Sequence, residues 1–259
     1  MKFGICGGPE LAILARQAGY DYWEWSVPGL LKPLEDDKAF AESLKAARAT
    51  GLPCPVLNLF LPSSHQMTGP AAALNQLRKF VTVTFARARE AGVTHIVFGS
   101  GGARQVPEGF GHAEATKQIV AFLKMAGPLA AKQGVTVAVE PLNPRDCNII
   151  TSVAEGAAVV RETNHPAVRL LVDSYHMLRS DNVPADIESN GPLFAHTHVA
   201  TKDNRLMPGA ESCDLAPFFR ALVRGGYDGR MSFEGKCDPD VPKLATGLTV
   251  LKQLEQAAR

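Results

Sequence analysis

Two hydrophobic patterns alternate along the chain. Short runs rich in β-branched and aromatic residues are separated by longer stretches whose apolar positions recur every three to four residues. The junction between them repeats. A helical segment ends, a glycine follows, and a strand-like run begins, as at Ala18-Gly19-Tyr20, Thr50-Gly51-Leu52, Ala91-Gly92-Val93, Gln133-Gly134-Val135 and Gly225-Gly226-Tyr227. Glycine just past a helix end adopts the left-handed cap without steric penalty. Aliphatic runs of about four to six residues suit strands buried on both faces, as in parallel sheets.

The helical pattern is clearest over residues 36–49, where Asp36 and Asp37 open the segment and Phe40, Leu44 and Ala47 share a face. It returns over 70–91, with Pro70 suited to a first turn, and over 113–133 and 239–258. Strands are expected at 2–6, through Trp23-Glu24-Trp25, up to Asn58-Leu59-Phe60, up to Phe98, and over 135–140, 166–173, 193–200 and 230–234. Alternating β and α segments imply a parallel sheet with right-handed crossovers. Eight such units leave about 32 residues each, which fits a single α/β (β/α)8 TIM barrel spanning residues 1–259 as one domain. The rival, an open doubly wound sheet that binds a dinucleotide, lacks its Gly-x-Gly-x-x-Gly signature, since Gly7-Gly8-Pro9 is not that motif.

A barrel presents chemistry at the C-terminal ends of its strands. With a period of two, Val135, Val137 and Val139 share one face, leaving Glu140 on the inward one. Likewise Met231 and Phe233 face helices while Ser232 and Glu234 face in. Asp173 ends the sixth strand, and His196 and His198 share a face of the seventh, His198 nearer the rim. Four consecutive strands thus end in Glu140, Asp173, His198 and Glu234. Singly, each carboxylate could be a helix cap or a surface group; the signal is the alignment of four ends. Three carboxylates that close need a counter-charge. Three oxygen donors with one imidazole suit a divalent metal ion, Mn²⁺ as first choice, then Mg²⁺, Co²⁺ or Zn²⁺. His196 is expected to be a packed, hydrogen-bonded barrel residue.

Composition adds exclusions. The chain is 46% apolar and 20% charged, with a formal net charge of +1. That balance argues against a broad basic face for nucleic acid or anionic membrane. No run approaches the ~18 apolar residues of a membrane span. The opening Met1 to Gly8 is too short for a signal peptide and resembles a strand. The five cysteines, Cys6, Cys54, Cys147, Cys213 and Cys237, include no C-x-x-C pair, and reduced thiols in the cytoplasm are the simplest reading.

On Val139-Glu140-Pro141-Leu142-Asn143, Asp173-Ser174-Tyr175-His176-Met177, His196-Thr197-His198-Val199-Ala200, Pro208-Gly209 and residues 226–235, the chain resembles the sugar phosphate isomerase/epimerase family, the xylose isomerase-like TIM barrels. The resemblance implies metal ligation by Glu140, Asp173, His198 and Glu234, with the two glutamates as the catalytic acid–base pair. It implies that His176 contacts substrate oxygen and that Arg205 matches the family's arginine after the histidine strand, a substrate-binding residue. Asp146 falls where ketose epimerases of the family carry a glutamate. The expected activity is isomerisation or epimerisation of a ketose or related polyhydroxy carbonyl compound through an enediolate, with hydroxypyruvate isomerase or inosose dehydratase chemistry as alternatives. Association into a homo-oligomer, dimer or tetramer, is also open. An endonuclease IV-like repair enzyme needs further histidines that this chain lacks after strand four and after His198. A sugar-binding barrel without catalysis would have no need of two bases. Three features stay open: the glycine-rich turn Phe98 to Arg104, as a phosphate cradle or an ordinary turn; Trp23 and Trp25, as mouth walls or core; and Lys202, as substrate donor or solvated lysine.

Overall fold

Eight parallel strands close into a barrel in sequence order in the computed structural model, which describes residues 1–180 and 182–259. They are β1 (Lys2–Cys6), β2 (Tyr22–Ser26), β3 (Val56–Asn58), β4 (His95–Phe98), β5 (Thr136–Val139), β6 (Val168–Asp173), β7 (Phe194–Val199) and β8 (Arg230–Phe233). The helices are α1 (Pro9–Ala18), α2 (Val27–Leu30), α3 (Asp37–Ala49), α4 (Leu74–Ala91), α5 (Gly101–Arg104), α6 (His112–Lys132), α7 (Val153–Thr163), α8 (Ser174–Leu178), α9 (Pro184–Asn190), α10 (Ala216–Arg224) and α11 (Val241–Ala258). The glycine junctions behave as the pattern predicts. Gly19 and Gly92 take φ of 90° and 75°, and their N–H groups close α1 and α4 on the carbonyls of Arg16 and Arg89. At the other end of a helix, Asp36 caps α3 by accepting the Ala39 N–H at 2.8 Å.

Most expected boundaries shift by a residue or two, and the largest shift is at the start of α4. Pro70 is not in a helix; it sits in a turn closed by the Ala72 N–H on the Gly69 carbonyl at 3.2 Å, and α4 starts at Leu74. A proline with fixed φ serves the second position of a turn as well as it serves a first helical turn, so the residue type alone does not separate the two.

Alternation along the strands sorts side chains into two layers. Phe3, Ile5, Trp23, Leu57, Ile96, Phe98, Val137, Val139, Leu170, Val172, Met231 and Phe233 join the large cluster under the helices. Tyr22, Val56, Val97, Ala138 and Leu171 form a small cluster inside the barrel. Above that apolar plug the interior becomes polar, with Glu24, His196, His198 and Ser232 all fully buried. An irregularity in β7 sets this up. Leu170 pairs with Phe194, but the next residue, Leu171, pairs with His196, so Ala195 is an extra residue. The bulge lets Phe194 pack on the helix side while His196 and His198, of the same parity, point inward, and it leaves Asp173 opposite His198.

Candidate metal and catalytic site

The four sequence-predicted groups meet at the C-terminal rim. Glu140 and Glu234 each lie one residue beyond their strand, yet both stay tied to the sheet, the Glu140 N–H donating to Phe98 O and the Glu234 N–H to Val199 O, each at 3.2 Å. Asp173 divides its labour. Oδ1 caps α8 by accepting the Tyr175 N–H at 2.9 Å, which leaves Oδ2 directed at the site. His198 Nδ1 lies 3.2 Å from Glu140 Oε1 and 3.2 Å from Glu234 Oε2. One ligand atom from each of Glu140, Asp173, His198 and Glu234 falls within 4.8 Å of all the others. Around a cation with bonds of about 2.1 Å, adjacent donors stand about 3 Å apart and opposite ones about 4.2 Å, so this donor set fits a single divalent ion.

Charge points the same way. Burial pushes Asp173 above the usual carboxylate range even though His176, Arg205 and His198 pull it down. Burial also opposes ionisation of Glu234, but His198 and Arg205 outweigh it and hold that carboxyl low. For His198 burial disfavours the charged ring, yet Glu24 and Glu234 raise its proton affinity well above the ordinary value. A pocket that draws a proton onto its imidazole this strongly has a surplus of negative charge that a cation would neutralise.

Three further residues were expected to contact substrate. His176, buried on α8, accepts the Asn143 backbone N–H on Nδ1 at 3.1 Å. A backbone amide can only donate, so Nδ1 holds a lone pair and the ring proton sits on Nε2, which lies 3.8 Å from Asp173 Oδ2. Asp146 is half-exposed and accepts from Asn143 Nδ2 at 2.7 Å. Arg205 stacks on the Tyr175 ring and reaches Glu234 Oε2 at 2.5 Å and Asp173 Oδ2 at 3.3 Å. It does so from a left-handed backbone, φ 56°, unusual for arginine and held by the Lys236 N–H on its carbonyl at 2.8 Å. His176, Asp146 and Arg205 line a cavity of about 340 Å³ with Glu140 and Glu234. Arg205 and Glu234 also border a second cavity of about 480 Å³ with Trp25 and Cys6.

The open features resolve unevenly. Trp23 is core: fully buried under the helices, it donates Nε1–H to Leu52 O at 3.0 Å, and only Trp25 borders a mouth cavity. His196 is the packed barrel residue expected, 2.9 Å from Glu24. Lys202 is exposed at the rim. The five cysteines are free thiols. The glycine-rich turn has structural work. Arg104 is fully buried and donates to Phe98 O at 3.0 Å and Glu140 O at 2.7 Å, bracing the strand end that carries Glu140. A Cβ on Gly99 would lie 2.4 Å from Glu140 Oε2. Gly99→Ala is therefore expected to displace that carboxylate with little change in melting temperature while turnover falls about 10- to 100-fold, checked by steady-state kinetics beside calorimetry.

Three supporting residues escaped the sequence reading. Glu24 accepts from both barrel histidines, Asn58 donates to Glu234 Oε1 at 3.0 Å, and Arg104 holds Glu140. For Glu24 a signal existed, because period two places it inward once its tryptophan neighbours point outward. For Asn58 nothing local marks its partner, and for Arg104 the glycines before it drew attention to the turn without showing that the side chain is buried under Glu140.

The profile of the xylose isomerase-like TIM barrel family matches residues 13–254, and the chain belongs to that family. Among characterised relatives, an L-ribulose 3-epimerase of Methylomonas sp. (strain DH-1) is 29% identical over 252 residues, covering 93% of this chain and 82% of the relative. A 3-dehydro-D-guloside 4-epimerase of Escherichia coli (strain K12) is 28% identical over 130 residues, 50% of this chain, so the match spans about half of that relative, 49% of its length. A solved L-ribulose 3-epimerase superposes with a TM-score of 0.83 at 19% identity over 100% of this chain and 96% of that one, a likeness of fold. No helix among the described residues is long and apolar enough to cross a membrane.

Proposed function

We propose that the chain is a divalent-metal-dependent sugar isomerase or epimerase acting on a ketose or related small polyhydroxy carbonyl compound, with Glu140 and Glu234 as its acid and base. The observation that carries this reading is the convergence of Glu140, Asp173, His198 Nδ1 and Glu234 on one cation-sized space. The epimerase names of its relatives support it. A bound divalent ion, held by those four groups, would supply the positive charge that makes a C–H beside a carbonyl acidic.

The remaining work falls to the chain. Glu140 and Glu234 follow β5 and β8, with β6 and β7 between them, so they approach the space from different sides. One carboxylate removes a proton next to the carbonyl, leaving an enediolate. If the other returns it to the opposite face of the same carbon, the product is an epimer; if the first returns it to the neighbouring carbon, the product is an isomer. His176 presents Nε2–H to a substrate oxygen. Arg205 and Asp146 supply a donor and an acceptor for hydroxyl groups nearby.

The test is a screen of ketoses, hydroxypyruvate and inososes in D₂O with Mn²⁺ added, following deuterium at carbons beside the carbonyl. Exchange that chelation stops and Mn²⁺ restores supports the reading. Absence of exchange from every compound, or exchange indifferent to chelation, overturns it. Hydroxypyruvate isomerisation or loss of water from an inosose would shift the assignment within the family.

A further inference from the structure

We propose that Glu24, in the middle of β2, is a positioning residue that aims His198 at the cation by holding the ring's Nε2–H, so that Nδ1 faces Glu140, Asp173 and Glu234. The inference rests on the cation site of the proposed function. It adds to that site a fourth carboxylate, fully buried and not one of the four groups that converge on the ion.

The hydrogen positions follow from chemistry alone. Glu24 is fully buried, and its oxygens lie 3.0 and 3.1 Å from His198 Nε2, 2.9 Å from His196 Nε2 and 2.7 Å from Ser232 Oγ. An ionised carboxylate has no hydrogen to give, so all three partners must donate to it. Ser232, having spent its hydrogen on Glu24, accepts from Tyr22 Oη at 2.9 Å. His196, protonated on Nε2, is left with a lone pair on Nδ1, and that buried atom has no partner. With Nε2–H committed to Glu24, His198 leaves Nδ1 as the nitrogen whose lone pair a bound cation would take. That nitrogen lies 3.2 Å from a carboxylate oxygen of Glu140 and 3.2 Å from one of Glu234, so the three groups frame one position for a positive charge.

Glutamine at position 24 would break the pattern in either amide orientation. With nitrogen toward Ser232 and His196, two donors meet a donor. With nitrogen toward His198, the ring is driven to carry its hydrogen on Nδ1, the atom needed for the ion. Imidazole ligands commonly lose about 10- to 100-fold in metal affinity when such a partner is removed.

The experiment titrates wild-type protein and Glu24→Gln with Mn²⁺, reading free ion by electron paramagnetic resonance. It also records ¹⁵N-histidine spectra of wild type loaded with Zn²⁺. The expected results are one ion per chain, binding weakened 10- to 100-fold in the variant, and a His198 ring with metal on Nδ1 and hydrogen on Nε2. The inference is overturned by unchanged affinity in Glu24→Gln or by metal on Nε2. It is also overturned by a second wild-type ion that disappears in the variant, since Cys6, Glu24 and His198 are themselves close enough to share one. The spectra need no variant, so a misfolded Glu24→Gln still leaves a decisive measurement. Failure of wild type to bind any ion would instead remove the cation reading on which the inference stands.

Discussion

Glu234→Gln is expected to fold and bind a ketose while losing about 10²- to 10⁴-fold in turnover, the usual contribution of a positioned general acid or base. The amide keeps the shape of the side chain, so Asn58 retains an oxygen to donate to and Arg205 can still bond the Glu234 backbone carbonyl. What disappears is the ability to take and return a proton, together with one negative charge facing the proposed ion, so turnover is compared at saturating Mn²⁺. The carboxyl of Glu234 is held low by His198 and Arg205 despite its burial, so at neutral pH it is the form that accepts the proton. Comparing kcat with KM separates the effects: loss in kcat with KM near normal identifies a group acting on the reacting carbon. Near-normal turnover on a confirmed substrate would remove Glu234 from the chemistry.

The second large effect concerns Asp173 and has opposite signs with and without metal. Burial raises its pKa in the folded, metal-free chain. A folded-state value above the unfolded one contributes stability that is present below the unfolded value, about 3.9, and is lost as pH rises through the folded value. At pH 7.5 the metal-free protein therefore carries an unfavourably buried carboxylate. The side-chain amide introduced by Asp173→Asn would keep an oxygen to cap α8 and carry no charge. Metal-free Asp173→Asn is thus expected to melt at or above wild type at pH 7.5, the advantage vanishing near pH 4. Divalent ion should reverse the order. It would stabilise wild type by about 2.7 kcal/mol at a hundredfold excess over Kd and leave Asp173→Asn nearly unmoved. Calorimetry in EDTA and in Mn²⁺ measures both halves, and equal metal stabilisation of the two proteins would exclude Asp173 as a ligand.

Much of this architecture was legible because two periodicities alternate. The valines at 135, 137 and 139 put Glu140 inward, Met231 and Phe233 did the same for Glu234, and the glycines after the helices marked the unit boundaries. Once the strands form a ring, their ends converge without further information. Contacts made across the ring were hidden. Glu24 meets His198 across 174 residues of chain and Asn58 meets Glu234 across 176. Neither distance is encoded in local spacing. The turn ending at Arg104 stayed open between an anion cradle and an ordinary turn because an arginine after glycines suits either, whereas its burial beneath Glu140 is set by packing that no single segment specifies. Pro70 was misplaced for the converse reason: a turn and a helix start ask for the same ring.

The extra residue in β7 has a consequence for how this strand tolerates change in length. Removing Ala195 would straighten the ladder and leave every pairing as it is, because Phe194 and His196 would become neighbours and regular alternation puts neighbours on opposite sides. Inserting one residue between His196 and His198 would instead rotate His198 out beneath the helices and strip the rim of its nitrogen donor to the proposed ion. A one-codon deletion at Ala195 is therefore expected to be far milder than a one-codon insertion two residues later.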